Sequence, residues 1–212
     1  MSQFRANVGE NGGKIEIPIN SFMKISELIG YKNHPAYKIA KDEPDVVKYV
    51  QQLKQNGYQI TRLGGGAFAE VFSRPGDSYV IKIFSDDPGY EQYLKYINQF
   101  KDNPHVPKIR GKMIKLPNNY RVVRLEKLRK LDRHNDKETE IYKLIKSIVT
   151  DDGRYPLAYK KEVETISQQY PEIMPLLKIL QTHGESIDLG IDNLMFRNST
   201  PVLTDPLSYL DY

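Results

Sequence analysis

The sequence predicts an α+β protein of two lobes, a β-rich first half and a helical second half, with a cleft between them. Three observations predict it. From Tyr58 to Phe84, β-branched and aromatic residues flank glycine and Pro-Gly punctuation, the mark of antiparallel strands on short connections. After Leu128 the apolar residues recur at helical spacing over three successive segments. Strands first and helices later, rather than strictly alternating, is the order that separates α+β from α/β.

Taken in order, the first dozen residues are polar, with GENGG at 9–13, and read as an arm. EPDVVKYVQQLKQN, from Glu43 to Asn56, sets Val46, Val47, Val50 and Leu53 on one helical face, and Gly57 stops it. YQITRLGGGAFAEVFSRPGDSYVIKIF reads as strand, glycine loop, strand, Pro-Gly turn, strand. Gly89 to Lys101 suits a short helix carrying Tyr93, Tyr96 and Phe100, ended by Asn103 and Pro104. Two further strands are expected, Lys108 to Lys115 and Tyr120 to Leu125, turned by Pro117, Asn118 and Asn119. Glu138 to Val149, Ala158 to Gln168 and Pro171 to His183 suit helices, and a late hairpin falls between Asn193 and Thr204. The expected divisions are 1–56 (arm and helix), 57–126 (β-rich lobe) and 127–212 (helical lobe).

Composition removes several classes of function. No apolar run approaches 18 residues, so no membrane-spanning helix is expected, and the first residues lack a secretory pattern. With no cysteine among 212 residues there is no disulfide or thiol chemistry, which fits a cytoplasmic location. The histidines at 34, 105, 134 and 183 have no ligand-like spacing and read as structural or surface residues. A net charge of +4 is modest; the basic run holding Arg124, Lys127, Arg129 and Lys130 reads as a solvated strand and turn rather than a nucleic-acid site.

Three motifs carry chemistry. Leu63, Gly64, Gly65, Gly66, Ala67 and Phe68 form a glycine loop between two strands, with Ala69 where a third spaced glycine would stand and Val71 following. Gly64 and Gly66 would let backbone approach phosphate; a ligand-free hairpin turn is the plain alternative. Lys82 lies inside the apolar strand Val80-Ile81-Lys82-Ile83, where its ammonium would neutralise the α- and β-phosphates of a nucleotide, unless it points to solvent from an alternating face. In IDLGIDNLMF, Asp188 is spaced to accept a hydroxyl proton and Asn193 to ligate Mg²⁺; Asp205, ending the later PVLTD, offers a second hard oxygen ligand. Each acidic residue singly would pass for turn decoration; in this order after Lys82 they form a set.

Together these motifs resemble the protein-kinase signature in chain order. LGGGAFAEVFSRPGDSYVIKIF and DNLMFRNSTPVLTDPLSY are similar to the early serine/threonine kinases of short-tailed lytic bacteriophages, over roughly Ile60 to Tyr209. The resemblance implies a protein-kinase-like fold with a truncated helical C-lobe, ATP and Mg²⁺ as cofactors, and γ-phosphate transfer to host proteins in the host cytoplasm. It also implies an adenine-binding hinge at Glu126 to Leu128, with Leu125 as gatekeeper.

The sequence departs from the pattern in four places. Ser186 and Ile187 stand before the catalytic aspartate, and Pro206 and Leu207 follow Asp205. Glu91 is the helix glutamate offered to Lys82, with Asp86 and Asp87 as fallback partners. Seven residues follow Asp205, too few for an activation loop, which leaves the acceptor and the oligomeric state open. Two other readings stand beside the kinase: a catalytically silent kinase-like binding or inhibitory protein, and a small-molecule phosphotransferase or nucleotidyltransferase on the same fold.

Overall fold

Five short antiparallel strands, β1 (Gln59–Ile60), β2 (Ala69–Ser73), β3 (Tyr79–Phe84), β4 (Ile114–Lys115) and β5 (Arg121–Glu126), build one sheet in the order β1-β2-β3-β5-β4. The computed structural model describes residues 43–61, 69–150, 156–183 and 187–208. The expected N-terminal arm, the glycine-loop residues Leu63 to Phe68, and Ser186 lie outside them.

The sheet is covered on both faces. Helix α1 (Pro44–Gln55) starts with Pro44, where a missing N–H costs least, and is closed by Gly57 at φ +81°. It buries Val46 and Leu53 against Phe72, Ile81, Ile83 and Val122, one face of the strands. The other face, with Val71, Val80, Phe84, Val123 and Leu125, joins a continuous core with the remaining helices and the late hairpin. Each fully buried Val, Ile, Leu or Phe side chain contributes about 1.5–3 kcal/mol. These two apolar faces therefore hold the sheet between its covering layers.

Helix α2 (Pro88–Gln99) has Asp87 as its N-cap, whose carboxylate accepts the Tyr90 N–H at 2.9 Å. Its inner face carries Tyr90, Tyr93, Leu94 and Ile97, and the Tyr93 hydroxyl donates to the Leu203 carbonyl at 2.6 Å. Three more helices follow: α3 (Asp136–Thr150), α4 (Pro156–Gln169) and α5 (Met174–Gln181). A second antiparallel sheet has the order β6-β7-β8, from β6 (Arg129–Lys130), β7 (Leu194–Arg197) and β8 (Thr200–Leu203). The described residues thus form a mixed α/β structure with antiparallel sheets and five α-helices. None of these helices is long and apolar enough to cross a membrane.

Two expectations are corrected. The strand expected from Lys108 to Lys115 is reduced to Ile114–Lys115 and one bridge between Ile109 and Leu125, because Gly111 at φ +76° breaks the extended run. The helix expected from Pro171 begins as a 3-10 turn, Pro171–Ile173, before α5 takes over beside Pro175, which lacks the N–H for a continuous ladder. The basic run expected as a solvated strand and turn holds β6, whose Arg129 stays exposed while Arg129 and Lys130 pair with Phe196 and Met195.

Candidate active site

Lys82 sits in the central strand, opposite Val71 on one side and Val123 on the other. Period-2 alternation puts it on the face of Val80 and Phe84, and that face is covered, so the residue is only 7% exposed. A solvated lysine is thereby ruled out. Its Nζ lies 2.7 Å from Asp205 Oδ2, across 123 residues of sequence, and 3.2 Å from the centre of the Tyr90 ring. Burying this ion pair costs desolvation that its attraction roughly offsets. With the Asp205 side chain 29% exposed, the pair is weak evidence for stability.

The partner expected from α2 is elsewhere. Glu91 pairs with Arg121 Nη1 at 2.5 Å. The helix turns about 100° per residue, so when Tyr90 faces Lys82 its neighbour Glu91 faces the adjacent strand. Of the fallback partners, Asp86 accepts from Asn119 Nδ2 at 3.3 Å, and Asp87 is committed as the cap. Burial, reinforced by the Asp205 charge, raises the Asp87 carboxyl above its ordinary value despite the Tyr90 N–H bond and nearby Lys82.

Backbone bonds bring the other predicted residues to Asp205. The Asp188 N–H donates to the Pro206 carbonyl at 2.9 Å, and the Thr204 N–H to the Asn193 carbonyl at 2.9 Å. Residues 187 and 207 form a further bridge. Asp205 is thus held between the two ends of the Asp188–Asn193 segment. That segment ends in a 3-10 turn, Ile191–Asn193, and leads straight into β7. Asn193 Nδ2 donates to the Asp188 carbonyl at 2.8 Å, which leaves Oδ1 as the amide's acceptor. Asp188 itself is exposed.

Among the described residues, no group of three His, Cys, Asp or Glu side chains could hold a metal. Magnesium does not need one: it is held by one or two protein oxygens together with phosphate and water. Asp205 Oδ1 is buried with no hydrogen-bond partner among the described residues, while Oδ2 takes Lys82. An orphaned carboxylate oxygen, one residue after the Thr204 N–H that bonds the Asn193 carbonyl, fits a hard divalent cation.

Val71 is buried on the Lys82 face of the sheet. Glu126 ends β5, and Leu128 follows two residues later. The Glu126 N–H donates to Lys108 and the Lys127 N–H to Ser78, both at 2.9 Å. The Glu126 carboxylate pairs with Arg197, so its side chain ties the end of β5 to the second sheet. Leu128 packs with Met195 and Val202 in a small apolar cluster of its own. Sequence reasoning singled out neither Tyr90, which carries no charge to mark it within an aromatic helix face, nor Met195, which reads as strand core.

No protein-family model and no curated protein matches the chain. Among solved structures it is similar to one described as "Crystal structure of Rad53 1-466 in complex with AMP-PNP". The identity is 19% and the TM-score 0.38, over 74% of this chain and 42% of that one. The chain therefore spans less than half the length of that neighbour. At this TM-score the likeness carries no weight for function.

Proposed function

We propose that this chain is an ATP-dependent serine/threonine protein kinase of phage type, acting in the cytoplasm, with its nucleotide between a β-rich lobe and a small helical lobe. The observation that carries this reading is the Lys82–Asp205 contact at 2.7 Å, which joins the two motif regions in one part-buried place. Lys82 binds the α- and β-phosphates. The glycine loop, Leu63 to Phe68, covers them, and Val71 and Leu128 with Met195 offer apolar surface to the base. Because the Glu126 and Lys127 N–H groups already donate to Lys108 and Ser78, Leu128 supplies the hinge N–H to adenine.

Asn193 and Asp205 would hold Mg²⁺, which when bound would withdraw charge from the phosphate oxygens being transferred. Asp188, exposed at the mouth of the segment, accepts the proton of the incoming hydroxyl. The chain's own contribution is to hold these groups in register; positioning and electrostatics dominate phosphoryl transfer. The acceptor is a protein hydroxyl, of a host protein if the chain is phage-encoded.

The test is incubation of purified protein with γ-labelled ATP, Mg²⁺ and a cytoplasmic extract, beside Asp188→Ala. Loss of a positioned general base lowers transfer by about 10²–10⁴-fold. Equal labelling by both proteins would reject the assignment of Asp188. ATP bound without any transfer would instead favour the silent binding protein, and a gain of AMP on the product would favour a nucleotidyltransferase.

A further inference from the structure

Resting on the kinase reading, we propose that Tyr90 is the positioning residue for Lys82, its ring face doing what a helix carboxylate would otherwise do. The Lys82 ammonium lies 3.2 Å from the ring centre, and Tyr90 is fully buried. The residue is held at its ring, at its backbone N–H and through the residue before it. Phe84 meets it edge-on, with centroids 4.9 Å apart and planes at 82°. The Tyr90 N–H is anchored on Asp87 at 2.9 Å. The preceding residue, Gly89, packs so closely on the chain after Asp205 that a Cβ there would stand 2.8 Å from the Leu207 carbonyl oxygen.

A ring suits this position for a chemical reason. An ammonium has three N–H donors. Asp205 takes one, and the ring face attracts the cation through its quadrupole without neutralising it. Positive charge and donor capacity therefore remain for a phosphate. A second carboxylate would compete with Asp205 for the same ammonium. The Tyr90 hydroxyl has no hydrogen-bond partner among the described residues, so the aromatic face, and not the hydroxyl, is the working part. Burial keeps the phenol neutral by pushing its pKa well above the ordinary value.

The experiment compares the full chain with Tyr90→Phe, Tyr90→Leu and Tyr90→Met, using two readouts. One is the extent of Lys82 acylation by an amine-reactive ester without nucleotide, followed by mass spectrometry. The other is Mg-ATP affinity by calorimetry, with kcat and KM for ATP where transfer is seen. Tyr90→Phe should match the unmodified chain in both. Tyr90→Leu and Tyr90→Met should weaken ATP binding roughly fivefold to thirtyfold, chiefly through KM, and acylate Lys82 faster. Methionine serves if leucine fails to fold, since its flexible thioether fills the space without a ring face. Unchanged Lys82 reactivity and ATP affinity in the non-aromatic variants would overturn the proposal, as would loss of both in Tyr90→Phe. If the unmodified chain binds no ATP, the kinase reading fails, and Lys82 acylation alone still decides what Tyr90 does.

Discussion

Removing the guanidinium of Arg197 should cost the protein a large part of its stability. Arg197 donates through Nε to Glu126 Oε2 at 3.0 Å, through Nη1 to the Pro104 carbonyl at 2.5 Å and through Nη2 to the Val106 carbonyl at 3.0 Å. Its Nη2 also meets Glu126 Oε1, which accepts the Lys108 N–H at 3.0 Å. Side-chain exposure is 23% for Arg197 and 12% for Glu126. In Arg197→Met the Glu126 carboxylate stays buried without its cation, a situation worth roughly 3–5 kcal/mol. A domain of this kind has only about 5–15 kcal/mol in total. With a urea slope of about 2 kcal/mol/M the midpoint should fall by roughly 1.5–2.5 M. At about 2–4 °C per kcal/mol, Tm should fall by roughly 6–20 °C. The double variant Glu126→Leu with Arg197→Met should recover much of this, because both charges then leave together. A loss under about 1 kcal/mol, the scale of an exposed pair, would refute the view that this clamp is desolvated.

Gly89→Ala should destabilise the protein by about 1–3 kcal/mol, because the added Cβ meets backbone at Leu207 and Ser208, which cannot rotate away as a side chain can. Calorimetric ATP titration should show an additional loss of affinity, since the displaced segment carries Asp205; unaltered stability would mean that the contact is slack. His105 is buried, with Nδ1–H donating to the Pro201 carbonyl at 2.7 Å, and burial holds its pKa below 6.5. The unfolded chain takes up this proton first, so the His105 contribution is fully present above about pH 6.5 and is lost as pH falls through the lowered folded value. Urea midpoints of the unmodified chain and His105→Gln should therefore converge between about pH 7 and about pH 5, and parallel curves would contradict this.

Much of this fold was legible because its punctuation is chemical. The Pro-Gly at 75–76 and the Asn118-Asn119 pair, both asparagines at positive φ, turn the chain where the sequence says it must. The late hairpin likewise turns through Asn198 at φ +56°. The strand expected from Lys108 failed because apolar alternation says nothing of a partner, and Gly111 takes the chain off the sheet edge. The pairing of Arg129 and Lys130 with β7 was illegible for the converse reason: two charged residues form a strand only when a neighbour supplies the ladder.

The candidate residues can be picked out from the sequence, but their contacts cannot. Lys82, Asp188, Asn193 and Asp205 stand out because each is a polar residue in a place that apolar or turn chemistry does not require. Which of them touch is a question of register. Pairing Phe84 with Arg121 decides that Glu91 has a guanidinium close by, and the helix twist then turns Tyr90, not Glu91, towards Lys82. A search for the lysine's partner by charge alone was bound to choose the glutamate. The covered sheet face changes the question from which residue neutralises Lys82 to which can hold it while leaving it charged, and there a buried ring has the advantage.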